Sequence, residues 1–169
     1  MTKEILKYLL LFIVLVVAQV VVFNHLCLFN VAVPLVFIYF IIKLPVTLSV
    51  NWAMTFSFIL GLMVDIFSNT QGMNALACTV LAVMRLPLLR LYFPREEDMT
   101  NPEPSLHTLG PAAYMKYLLT TVAFYCAIFF LIESFTFYNW GLMVLRIVSS
   151  TLLTFIIILS FDSLTAKSR

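Results

Sequence analysis

VAVPLVFIYFIIKLPVTLSVNWAMTFSFILGLMVDIF, residues 31–67, is the stretch whose reading decides the fold. Its 37 residues hold one basic side chain, Lys43, with Pro45 two positions later. A single helix of that length would reach about 55 Å at 1.5 Å per residue, far more than the ~30 Å of a bilayer's hydrocarbon core. Two helices folded back at Lys43-Leu44-Pro45 fit better, because proline sits poorly inside a helix and well near its start. The stretch therefore reads as a second span over about 31–42, short and able to begin nearer Leu28, and a third over about 46–66.

The rest of the chain supports a membrane reading. Of 169 residues, 63% are hydrophobic and 11% charged, and the mean hydropathy is +1.06. A typical soluble domain is about 25% charged, and one of this length could not hide so much apolar surface. Lys3 and Lys7 precede an apolar run from Tyr8 to Phe23. That run is long for a signal peptide, and Asn24-His25-Leu26-Cys27-Leu28 offers no small-residue cleavage site, so it reads as an uncleaved first span over about 5–23. Ser68-Asn69-Thr70-Gln71-Gly72 is a polar turn before a fourth span, about 73–91, with a kink expected at Pro87. Residues 94–111 hold Arg95, Glu96, Glu97, Asp98, Glu103 and four prolines, and read as a solvated loop. Fifth and sixth spans follow at about 112–132 and 141–161, separated by the aromatic stretch Glu133–Trp140. Cys27, Cys78 and Cys126 form no CxxC pair and read as small apolar residues, and His25 and His107 are isolated.

Six spans put both termini on one side, and the positive-inside rule places that side in the cytoplasm. Lys3, Lys7, Lys43, Arg90, Arg95, Lys116, Lys167 and Arg169 then flank cytoplasmic ends, and Arg85, in the cytoplasmic half of span four, is expected to snorkel. Of the ten basic residues only Arg146 lies toward the outer side. Removing span two would invert every later span and destroy this pattern. Tyr92, Phe93, Tyr138 and Trp140 fit interfacial aromatic belts.

No HExxH or phosphate-binding glycine loop occurs, and no paired-carboxylate motif lies inside a span, which argues against an enzyme; no catalytic residue, metal site or cofactor is expected. The informative residues are charges within spans, because an ionisable group in lipid is costly and faces protein or water. Asp65, Glu133 and Arg146 fall toward the same leaflet. We expect Arg146 to pair with Asp65, Glu133 being the competing partner, so that spans three and six are locked together. Gly61 shares a helix face with Asp65 and offers a close-approach surface; Gly72 can make the turn into span four.

Phe58-Ile59-Leu60-Gly61-Leu62-Met63-Val64-Asp65 followed by Gly72-Met73-Asn74-Ala75-Leu76 resembles the signature of the rod shape-determining protein MreD family: a glycine, an aspartate four residues on, and a second glycine leading into the next helix. The segment Val33–Phe40 with Lys43 and Pro45 resembles it too, Pro34 opening a short second helix that a basic residue and Pro45 close. The specific match covers about Pro34 to Leu76. The sequence departs from the pattern in the length of 94–111 and in Arg85, where an apolar residue or tyrosine is usual. The resemblance implies an all-α integral membrane protein of six transmembrane helices, similar to the substrate-binding subunits of energy-coupling-factor transporters. It further implies a non-enzymatic subunit of the cell-elongation machinery in the bacterial inner membrane. Such a subunit binds an MreC-like protein and belongs with MreB, RodA and a class B penicillin-binding transpeptidase; a homodimer stays open. The rival reading is a vitamin-type uptake subunit. It would gather Asn24, His25, Asn30, Asn69, Gln71, Asn74, Tyr138, Asn139 and Trp140 around an outer pocket. A lipid transferase would need clustered acids that the sequence lacks.

Overall fold

A backbone in lipid must bond to itself, so long apolar runs become helices. In the computed structural model, which describes residues 2–22, 32–70, 72–92, 104, 110–133 and 140–167, the chain obeys this everywhere but one place. Helix α1 covers Thr2–Val21. Helices α3 (Val50–Ser68), α4 (Met73–Tyr92), α5 (Pro111–Glu133) and α6 (Trp140–Lys167) follow the four apolar runs. These last four are long and apolar enough to cross a membrane, and the described apolar part of α1, Leu6–Val21, is shorter. No β-strand occurs among the described residues. Helix α4 continues through Pro87, and α3 begins at Val50 rather than near Val46.

The exception is the second apolar run. Instead of a helix over 31–42, residues 33–35 are non-helical, Val36–Ile38 form a 3₁₀ turn, and only Tyr39–Lys43 is α-helical (α2). Pro34 explains the late start: it lacks an N–H and restricts the residue before it. Nor does this segment face outward. Leu35 to Leu44 are all buried, and Phe37, Ile38, Ile41 and Ile42 are fully so. The second expected span is therefore a broken segment inside the bundle, packed against α1, α4 and α6.

Backbone that is not helical needs other partners, and polar side chains of the neighbouring helices supply them. Gln19 of α1 donates from Nε2 to the Pro34 carbonyl at 2.9 Å and accepts the Val36 N–H on Oε1 at 3.0 Å. The Val33 N–H donates to Ser150 Oγ, and the Leu35 N–H to Thr154 Oγ1, both at 3.0 Å and both on α6. At the far end, Arg85 of α4 donates to the carbonyls of Leu44 (2.6 Å), Pro45 (2.9 Å) and Ile41 (3.4 Å), which α2 leaves open at its C-terminus. Arg85 is thus buried and engaged, and the expectation that it snorkels is wrong: its guanidinium is needed inward, where carbonyls lack partners.

Helices α3 and α4 form an antiparallel hairpin, α5 packs on α4, and α6 packs on α5. Small residues at Ala53, Ser57 and Gly61 line the buried face of α3, and Ala75, Cys78 and Ala82 that of α4, allowing close approach. Replacing Gln19 by alanine should strand two buried backbone groups and cost about 2–4 kcal/mol, whereas Thr154→Val, which strands one, should cost about half as much. Thermal unfolding in detergent checks this; equal losses would mean that Gln19 does not hold the segment at both points.

Candidate functional site

Asp65 is the centre of the first candidate site. Helix α4 starts after Gly72, whose carbonyl accepts the Leu76 N–H at 3.1 Å and whose φ is +76°. A glycine at this capping position has no side chain to take the free N–H groups of the first turn. Asp65 takes them from across the hairpin: Oδ1 accepts the Asn74 N–H at 3.1 Å and Oδ2 the Ala75 N–H at 2.8 Å. Asn74 Nδ2 also donates to Oδ1 at 2.9 Å, and Thr70 Oγ1 makes a further short bond to it. The carboxylate is 3% exposed, so an unpartnered charge here would be costly. It sits where the helix dipole is positive, which favours the anion.

Gly61 makes this geometry accessible. A Cβ at Gly61 would stand 2.5 Å from Ala75 Cα and from the Asn74 carbonyl oxygen, so α3 and α4 touch backbone to backbone one turn before Asp65. Behind α3, Asn69 adopts a left-handed conformation (φ 54°) and returns its N–H to the Asp65 carbonyl, which also accepts from Thr70 at 3.1 Å. Asn74 extends the network to α5 by accepting from Tyr125 Oη at 2.9 Å, and Tyr125 Oη lies 3.9 Å from Cys78 Sγ. Gly61, Asp65 and Gly72 therefore act as one clasp.

A second polar cluster lies at the other end of the bundle. Lys43, the last residue of α2, meets Asp162 of α6 at 2.6 Å, with side chains 10% and 5% exposed. Lys43 also donates to the Pro104 carbonyl at 3.0 Å, and Tyr39 Oη donates to Asp162 Oδ1 at 2.8 Å. The rings of Tyr39 and Tyr114 each sit 5.4 Å from Lys43 Nζ. Lys43 is thus no loop residue in solvent; it anchors α2 to α6. Pro34 and Pro45, singled out as punctuation, offer their carbonyls to Gln19 and Arg85.

Arg146 does not pair with Asp65. It reaches Glu133, the last residue of α5, at 3.3 Å, and the side chains are 37% and 29% exposed. Asp65 is drawn instead to the uncapped start of α4, so the expected lock between spans three and six is replaced by a bond within the α5–α6 hairpin. Of the polar groups that an outer pocket would use, Asn74 is buried and committed to Asp65 and Tyr125, and Trp140 is 71% exposed. Asn24, His25, Asn30, Gln71, Tyr138 and Asn139 lie outside the described residues, as does nearly all of 94–111. Among the described residues no three His, Cys, Asp or Glu side chains are grouped to hold a metal ion. Sequence reasoning missed Gln19, Ser150, Thr154 and Asp162, whose only signal was polarity within apolar runs.

Gly61→Ala should force the α3–α4 hairpin apart and sharply lower detergent stability, while Gly72→Ala, with open space but a positive φ, should cost only about 1 kcal/mol. Lys43→Met alone should cost about 3–5 kcal/mol by leaving Asp162 unpaired, and adding Asp162→Leu should recover most of it. Unfolding midpoints of the singles and the double decide this; a double as poor as the single would place the loss elsewhere.

No protein-family model, curated protein or solved structure matches this chain.

Proposed function

We propose that this chain is a non-enzymatic scaffold subunit of the MreD type, a six-crossing protein of the bacterial inner membrane that binds an MreC-like single-span partner. Through that partner it helps position wall-synthesis enzymes, a RodA-like glycosyltransferase and a class B penicillin-binding transpeptidase, alongside MreB. The observation that carries this reading is the convergence of Gly61, Asp65 and Gly72, the residues on which the resemblance rests, into a single clasp. A motif used wholly for bracing two helices suits a subunit whose output is shape.

The distribution of polarity agrees. Asp65, Arg85, Lys43, Asp162 and Gln19 are all spent on other groups of the same chain. The outward faces are apolar, with Leu6, Leu9, Leu10, Ile13, Val14 and Val17 along α1 and Trp52, Phe56, Ile59, Met63 and Ile66 along α3. Such faces meet lipid or a partner helix. Lys43, Arg85, Arg90 and Lys116 sit toward the end of the bundle marked by Lys43 and Asp162, which the positive-inside rule assigns to the cytoplasm along with both termini. In this topology the broken segment with α2 counts as the second crossing.

A crosslinker-stabilised pulldown from membranes in mild detergent, read by mass spectrometry, tests the proposal. Recovery of an MreC-like protein with wall-synthesis enzymes is expected. Recovery of an ATPase module with a bound vitamin-like molecule, and no wall enzymes, would replace scaffold by uptake subunit.

A further inference from the structure

Two ion pairs among the described residues are built differently. Lys43–Asp162 is buried: the atoms are 2.6 Å apart, the side chains are 10% and 5% exposed, and Tyr39 and the Pro104 carbonyl add hydrogen bonds to it, although Asp162 Oδ2 has no hydrogen-bond partner among the described residues. Glu133–Arg146 is open. A guanidinium has five donors in a fork suited to two parallel bonds, yet among the described residues Arg146 uses one, at 3.3 Å, the long end of the hydrogen-bond range. Both side chains remain about a third exposed. A partly exposed charge pair within a span's reach is costly unless a polar group of the environment completes it.

Its position says which environment that is. Glu133 ends α5 and Trp140, largely exposed, begins α6. Arg146 lies six residues on, about 9 Å down the axis, and helical side chains lean toward the N-terminus, so its guanidinium rises toward Glu133. Around it the outward surface is apolar, with Leu142 and Leu145 on α6 and Leu131 on α5 exposed. Ser149, one turn further, is spent on its own helix, donating to the Leu145 carbonyl at 2.7 Å. The arrangement is a cation and an anion side by side at the lipid boundary, above an apolar wall.

We propose that Glu133 and Arg146 form a headgroup site for a membrane phospholipid bearing both a phosphate and a primary ammonium. The phosphate accepts from the unused donors of Arg146 and the ammonium donates to the Glu133 carboxylate. The acyl chains lie along Leu131, Leu142 and Leu145. Charge complementarity selects this lipid: an anionic headgroup without a cation satisfies Arg146 and repels Glu133. The site stands whether or not the scaffold reading holds.

Native mass spectrometry of the full chain in detergent, offered equal phosphatidylethanolamine and phosphatidylglycerol, tests it. The wild type should retain phosphatidylethanolamine about three- to five-fold over phosphatidylglycerol, the size of one half-exposed charge contact. Glu133→Gln should bring that ratio toward one, since Arg146 then meets either phosphate alike, and Arg146→Gln should lower retention of both. A wild-type ratio near one, which needs no variant to fold, overturns the proposal. So does a preference that Glu133→Gln leaves unchanged.

Discussion

Non-helical backbone buried among apolar helices has no water to bond to, and the rest of this structure follows from where the chain breaks that rule. Around Pro34 the second apolar run is non-helical, and its free amides and carbonyls must be met by side chains. Gln19 comes from α1, Ser150 and Thr154 from α6, and Arg85 from α4. Three helices are fixed in register by one short segment. Each polar side chain would be expensive in lipid by itself, and each becomes affordable because the backbone opposite it would be equally expensive alone.

The buried charges follow the same logic. Asp65 supplies the cap that Gly72 cannot, and Arg85 closes the carbonyl end of α2. Both act on backbone dipoles of another element, so they tie elements together without needing an opposite charge. Lys43 and Asp162 do the same through an ion pair that also holds Tyr39. With interior polarity used this way, the described residues meet their surroundings through apolar faces and through the half-exposed pair of Glu133 and Arg146.

Much of the helical layout was legible because lipid leaves few choices. Long apolar runs punctuated by Ser68–Gly72 and by the stretch ending at Pro111 gave α4 and α5 ends within a residue or so of those observed. The second run was misread because a buried irregular segment and a buried helix have the same composition; only Pro34 hinted at the difference. The partner of Arg146 was misassigned for a related reason. Asp65 and Glu133 lie at similar depth in a span count, and what separates them is that α4 begins at a glycine. Gln19, Ser150 and Thr154 could not be singled out, because their partners are backbone groups 15 to 119 residues away.

The clasp around residues 33–36 also imposes an order of events during synthesis. Half of its hydrogen bonds come from α1, which precedes the segment, and half from α6, which is made more than a hundred residues later. When the second segment first leaves the ribosome, Val33 and Leu35 have no acceptors for their amides. The segment's hydrogen bonding is thus completed from the C-terminal side of the chain, and a ribosome stalled before Ser150 would leave these two amides without the acceptors that α6 supplies.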